Sequence, residues 1–161
     1  VLQHTPKPKK TLIELISKAK SGGKIAIDFY PMKGFWTFIS AKYLLRPITK
    51  KMKPETLLKF IRASVPSLFF LYKILNILRL NFLVRFLPIC DPRTLPSDLS
   101  SEDFKEWLVL DTFDMLSAYY DYPQKISEVK KIFLENNCKI AFAGFVNYKH
   151  GASAVVRATK I

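Results

Sequence analysis

The stretch Val1–Pro31, VLQHTPKPKKTLIELISKAKSGGKIAIDFYP, reads as the exit of one buried strand, a helix, a Gly-Gly stop and a second buried strand. Leu12, Ile13, Leu15, Ile16 and Ala19 recur at helical spacing, with Lys9, Lys10, Lys18 and Lys20 mostly on the opposite side. Thr5-Pro6 supplies a hydroxyl cap and a proline for the first helical position. Gly22 suits the left-handed residue that ends such a helix. Lys24–Tyr30 is a short apolar run, expected as a strand buried on both faces, with Asp28 interrupting it. A helix, a stop and a buried strand form the second half of a βαβ unit, which implies an α/β fold with a parallel sheet. The stretch opens in mid-element, so the chain is expected to be the later part of a larger domain.

Further along, residues 35–100 break this rhythm, cut by Pro47, Pro54, Pro66, Pro88, Pro92 and Pro96. Pro54-Glu55 opens a helix with Leu57, Leu58, Phe60 and Ile61, which Pro66 is expected to end. Ser67–Leu87 is strongly apolar, with Lys73, Asn76 and Arg79 on one helical stripe. Its longest uncharged run, Ala63–Tyr72, has 10 residues, against the ~20 that a spanning helix needs. A transmembrane element is therefore not expected. Two readings stay open for this segment: a helical lid on its own domain, or an amphipathic element on a membrane surface. Ser100 and Asp103 make a capping signal for a helix that turns Phe104, Trp107, Leu108 and Leu110 inward. Asp111–Tyr122 is acidic and aromatic. A last helix is expected over Ser127–Asn136, then strands over Lys139–Val146 and Ala152–Thr159, joined by a turn holding His150.

The 161 residues suit one domain, and 49% hydrophobic residues can build a core. Cys90 and Cys138 lack metal-ligand spacing and read as reduced thiols of a cytoplasmic protein, with a lone disulfide as the lesser alternative. Charge is uneven. Residues 1–64 hold 14 Lys/Arg against 3 acids, and residues 91–121 hold 8 acids against 2 Lys/Arg, within a total of +13. A basic body suits an anionic lipid surface, an anionic substrate or simple solvation. Lys exceeds Arg and no tight basic run interleaves with aromatics, so nucleic acid is an unfavoured partner.

The opening motif resembles the class I S-adenosylmethionine-dependent methyltransferases, from the end of their fourth strand onward. The family pattern falls on Leu2, His4, Pro6, Pro8, Leu12, Leu15, Lys20, Gly22, Gly23 and Ile27, with Ser21 where proline is usual. The last helix and the two final strands resemble the family's terminal helix and antiparallel hairpin. The resemblance implies a partial Rossmann-like sheet built from residues 1–34 and 111–161, with residues 35–110 as a helical insertion or lid. It implies S-adenosylmethionine as cofactor and a small or lipid-like acceptor. The family's Gly-rich cofactor loop has no counterpart, since Gly22, Gly23, Gly34, Gly144 and Gly151 offer no GxGxG spacing. The chain is thus expected to be one incomplete domain, inactive alone, whose foremost partner is its missing N-terminal half. An unpaired sheet edge is expected where the first strands would join.

Ligands of open α/β sheets sit at the carboxyl ends of strands. That rule selects Gln3, His4 and Thr5, then Tyr30, Pro31 and Lys33. His4 is the candidate base, because its ordinary pKa suits proton transfer near neutrality; a structural histidine beside the cofactor is the other reading. Leu2, Gln3 and His4 resemble cofactor-lining positions. Asp28 is either a partnered buried carboxylate or a substrate contact. Asp111, Asp114, Tyr119 and Tyr120 could wall an acceptor pocket, or be a helix end with solvated acids. No metal-ligand cluster is present. The expected function is methyl transfer. The alternatives are a non-catalytic, basic membrane-surface module and, more weakly, a nucleic-acid methyltransferase.

Overall fold

The computed structural model describes residues 2–32, 34–148 and 151–161. Its elements run α1 (Pro8–Lys18), β1 (Lys24–Phe29), α2 (Ala41–Thr49), α3 (Pro54–Ile77), α4 (Ser101–Ser117), α5 (Ile126–Glu135), β2 (Cys138–Tyr148) and β3 (Gly151–Lys160), with short 3₁₀ turns between. The chain divides into two units, Val1–Gly34 with Tyr120–Ile161, and Phe35–Tyr119.

In the first unit, two prolines decide where α1 begins. The helix opens two residues after the expected Pro6, because Pro8 takes the early helical position and holds Lys7 outside the helical region (φ −138°, ψ 78°). Thr5 does not cap; its hydroxyl donates to the Leu2 carbonyl at 2.9 Å. Gly22 is left-handed as expected (φ 77°), yet it does not end the helix. It lies in the next turn, which the Gly23 N–H closes on the Lys20 carbonyl at 2.9 Å.

The fold is mixed α/β, with an open three-stranded sheet in the order β1-β3-β2, all antiparallel. Ile27 lies opposite Val156, which faces Ala143 on its other side. The expected parallel partner of β1 is not found among the described residues; its one ladder is the antiparallel one with β3. Nor is β1 buried on both faces. Ile25 and Phe29 are buried while Lys24, Ala26 and Asp28 are exposed, because helices cover one face only. Leu12 and Ile16 of α1 and Val129, Ile132 and Phe133 of α5 pack there against Ile25, Phe29, Ala154, Val156 and Ala158. On the open face, the Arg157 guanidinium sits 5.6 Å from the Phe142 ring. The last helix and the two strands stand where the sequence puts them. His150 lies outside the described residues.

The second unit is helical. α3 runs unbroken for 24 residues through Pro66, which the sequence reading made its end. The ring costs one hydrogen bond, to the Arg62 carbonyl, but Arg62 and Pro66 both lie on the exposed flank, where water can replace it. Leu57, Ile61, Val65, Tyr72 and Leu75 form the buried stripe. At this length α3 is long and apolar enough to cross a membrane by length and composition, so the short uncharged run does not exclude it. Its buried stripe packs on its own unit, and Lys59, Arg62 and Lys73 stand on the remaining surface. Ser100 caps α4, accepting from the Asp103 N–H at 3.1 Å. Trp107 and Leu110, expected inward, are exposed, whereas Leu108, Val109, Thr112 and Leu116 are buried. The inward stripe of α4 is thus offset from the expected one and carries a threonine hydroxyl.

Candidate functional site

Tyr30 leaves β1 and is held by main-chain bonds to a distant segment. The Gln124 N–H donates to the Tyr30 carbonyl and the Met32 N–H donates to the Gln124 carbonyl, each at 2.9 Å. The Tyr122 N–H donates to the Gln3 carbonyl at 2.9 Å. Residues 120–124 therefore lie along both the exit of β1 and the 3₁₀ turn Leu2–His4. This stitching brings together three of the expected site residues. His4 Nδ1 donates to the Tyr120 carbonyl at 2.9 Å, and the His4 ring meets the Tyr30 ring edge-on, 5.8 Å between centroids.

The bond to Tyr120 fixes more than position. A carbonyl only accepts, so the proton of neutral His4 sits on Nδ1 and the lone pair on Nε2. That tautomer leaves Nε2 as the nitrogen able to take up a proton. Tyr30 is about half exposed, while Gln3 is buried at 3% exposure. Leu2 is buried in the apolar core of this unit. It also lines a cleft of about 270 Å³ between the 3₁₀ turn, α1 and β1, with Thr5, Ala26 and Asp28 on the walls. Asp28 is exposed, which removes the reading of a buried carboxylate. Lys33 lies outside the described residues.

Asp111, Asp114 and Tyr119 belong to the helical unit. Asp111 is half-buried on α4 and Asp114, one turn on, is exposed. Burial pushes the Asp111 carboxyl above its ordinary range, and the Asp114 charge adds to this; a hydrogen bond with the Trp107 side chain works the other way. The Tyr119 ring is exposed and carries the Lys50 ammonium at 5.2 Å. A second apolar groove, about 630 Å³, lies between α3 and α4, with Val65, Phe69 and Leu108 among its walls and charges of both signs, Arg62, Lys73, Lys105, Glu102 and Glu106, in its lining. No cluster of three or more metal-ligating side chains occurs among the described residues.

Tyr122 and Gln124 are not in the expected set. They act through their backbone, which leaves no side-chain pattern in a sequence; only the Pro123 between them marks an extended segment. Comparison with protein-family models, with curated proteins and with solved structures finds no match to this chain.

Proposed function

We propose that this chain carries the C-terminal part of an S-adenosylmethionine-dependent methyltransferase that acts on a small or lipid-like acceptor. The observation that carries it is the meeting of His4, Tyr30 and Tyr120 beside the carboxyl end of β1, where α/β sheets hold their ligands. Two features support it. The last two strands form the antiparallel hairpin that the resemblance implies, and it docks on β1. Helices cover one sheet face and leave the other open, as half of a two-sided α/β layer would.

S-adenosylmethionine supplies an electrophilic methyl group on a sulfonium. The residues present fit part of that group. The Tyr30 ring, edge-on to His4, favours a cation nearby, and Leu2 offers apolar surface. In this reading His4 Nε2 takes the proton that an acceptor hydroxyl or amine loses as it is methylated. The chain lacks a Gly-x-Gly loop, so its own affinity for the cofactor is weak.

The test is backbone NMR of residues 1–161 titrated with S-adenosylmethionine. Fast-exchange shifts confined to Leu2, Gln3, His4, Tyr30 and residues 120–124 are expected, and His4→Ala should abolish them. Saturation without shifts at those residues would remove the cofactor site and leave the non-catalytic module as the better reading.

A further inference from the structure

We infer that an aromatic ridge on the helical unit docks the protein onto an anionic lipid bilayer. The ridge joins two 3₁₀ turns, Gly34–Thr37 and Asn81–Phe86. Arg85 holds them together. Its Nε donates to the Ile39 carbonyl at 2.8 Å and its guanidinium donates to the Trp36 carbonyl. The same guanidinium lies 5.7 Å from the Trp36 ring and 5.8 Å from the Phe86 ring. Residues three apart eclipse in a 3₁₀ helix, so Phe82 stands over Arg85 in the same row. These rings are not core. Trp36 is 64% and Phe82 66% exposed. Just before the second turn, Ile77 and Leu78 are 78% and 59% exposed.

Charge selects the occupant. Residues 35–90 carry ten Lys/Arg against Glu55 alone; Arg46 is buried and Arg62 is paired with Glu106 of α4, while Arg79 and Arg85 lie in the same stretch of chain as the ridge. Aromatic and aliphatic side chains mixed with cations suit the headgroup level of a bilayer, where rings enter the acyl boundary and cations meet lipid phosphates. Arg79 points the same way. It occupies the left-handed position after α3 (φ 59°), where glycine fits best, and it is exposed beside Leu78. An exposed cation thus stands at the ridge in a position whose backbone favours glycine. Docking is independent of methyl transfer, and the assay below reads no transfer, so either can fail alone.

Flotation of the full chain with vesicles is the test. Binding is expected to mixed phosphatidylcholine–phosphatidylserine vesicles at low salt, falling as salt rises, with little binding to phosphatidylcholine alone. The chain has two tryptophans, so Trp107→Phe leaves Trp36 as the only indole. Its emission should shift to the blue on binding and be quenched by lipids brominated along their chains. Trp36→Ser with Phe82→Ser should abolish flotation with unchanged circular dichroism. Should that pair disturb folding, Arg79→Gly, which suits the backbone, should weaken binding about fivefold, the value of one basic residue at an anionic surface. Absence of flotation at low salt, an unquenched Trp36, or Arg79→Gly binding like the wild type would overturn the inference. Retention on heparin without vesicle binding would overturn it too, in favour of an acidic macromolecule.

Discussion

The Thr112 hydroxyl joins two parts of the helical core. It accepts from the Cys90 N–H at 3.1 Å and donates to the Leu108 carbonyl at 2.7 Å, in a side chain with no exposure. Thr112→Val keeps the shape but leaves the Cys90 N–H buried without that acceptor. A loss of about 1–3 kcal/mol is expected, read as a lower urea midpoint, with Thr112→Ser recovering most of it; a Val variant as stable as the wild type would sink the idea. The Cys90 thiol beside it is pushed up to about 12, chiefly by burial, so it packs as a small apolar group and is a poor nucleophile. Next in sequence, Asp91 shows opposing effects. Burial raises its carboxyl, but hydrogen bonds from the Arg93 side chain and backbone, the Arg93 charge and the Tyr72 hydroxyl together hold it below its ordinary range. The unfolded carboxyl therefore takes up its proton at higher pH than the folded one. Its stabilisation is full above the ordinary value of about 4 and is lost as pH falls through the lower, folded value. The group is partly exposed, so the effect is under about 1 kcal/mol. Thermal midpoints of wild type and Asp91→Asn should converge as pH drops below about 4; a gap that persists into strong acid would contradict this assignment.

Among the elements, the end of α3 shows a local preference overridden. The Leu80 N–H reaches the Leu75 carbonyl at 2.8 Å and the Arg79 N–H the Asn76 carbonyl at 3.0 Å, the paired bonds of a Schellman ending. The residue between normally is glycine, and here it is Arg79. Arg79→Gly should raise stability by about 0.5–1 kcal/mol, the relief of left-handed strain less the added freedom of the unfolded chain. The same substitution is expected to weaken vesicle binding, so a denaturation series and a flotation assay on one variant read both effects. A destabilised glycine variant would show that the Arg79 side chain makes contacts worth more than the strain. Elements with a strong period were legible in the sequence. Ile16 and Leu12 mark the inner face of α1, Val129, Ile132 and Phe133 that of α5, and the final hairpin was read nearly to its ends. Pro66 misled, because on the exposed flank water can meet the carbonyl it leaves unpaired and the helix runs on through it. Trp107 misled because the stripe drawn through Phe104, Trp107, Leu108 and Leu110 is offset from the buried one, which Leu108 shares and the smaller Thr112 continues. At the site, His4 and Tyr30 followed from the strand-end rule. The bond from His4 to the Tyr120 carbonyl joins positions 116 apart, which no local pattern could show.

At the scale of the whole molecule, the sheet has two edge strands, β1 and β2, each paired on one side only among the described residues, and β1 is the one the resemblance expects to take a further partner. β1 takes its ladder from β3 on one side, and no strand pairs with its other side among the described residues. An open edge with its N–H and C=O groups in a row is a template for another strand. Its outward side chains, Lys24, Ala26 and Asp28, put two opposite charges around one small apolar residue, which gives little net repulsion between two copies. The overall charge of +13 opposes association at low salt and is screened as salt rises, over a Debye length of about 8 Å at physiological ionic strength. Self-association through β1 should therefore increase with salt, the opposite of vesicle docking, which salt weakens. Ala26→Lys places a further cation at the centre of the edge on the exposed face. It should leave the far-ultraviolet circular dichroism unchanged and lower the salt-dependent association seen by analytical ultracentrifugation. If Ala26→Lys associates as the wild type does, the contact between copies lies elsewhere: at the other edge strand, β2, or at the apolar ridge of the helical unit, which Trp36→Ser with Phe82→Ser tests under the same conditions.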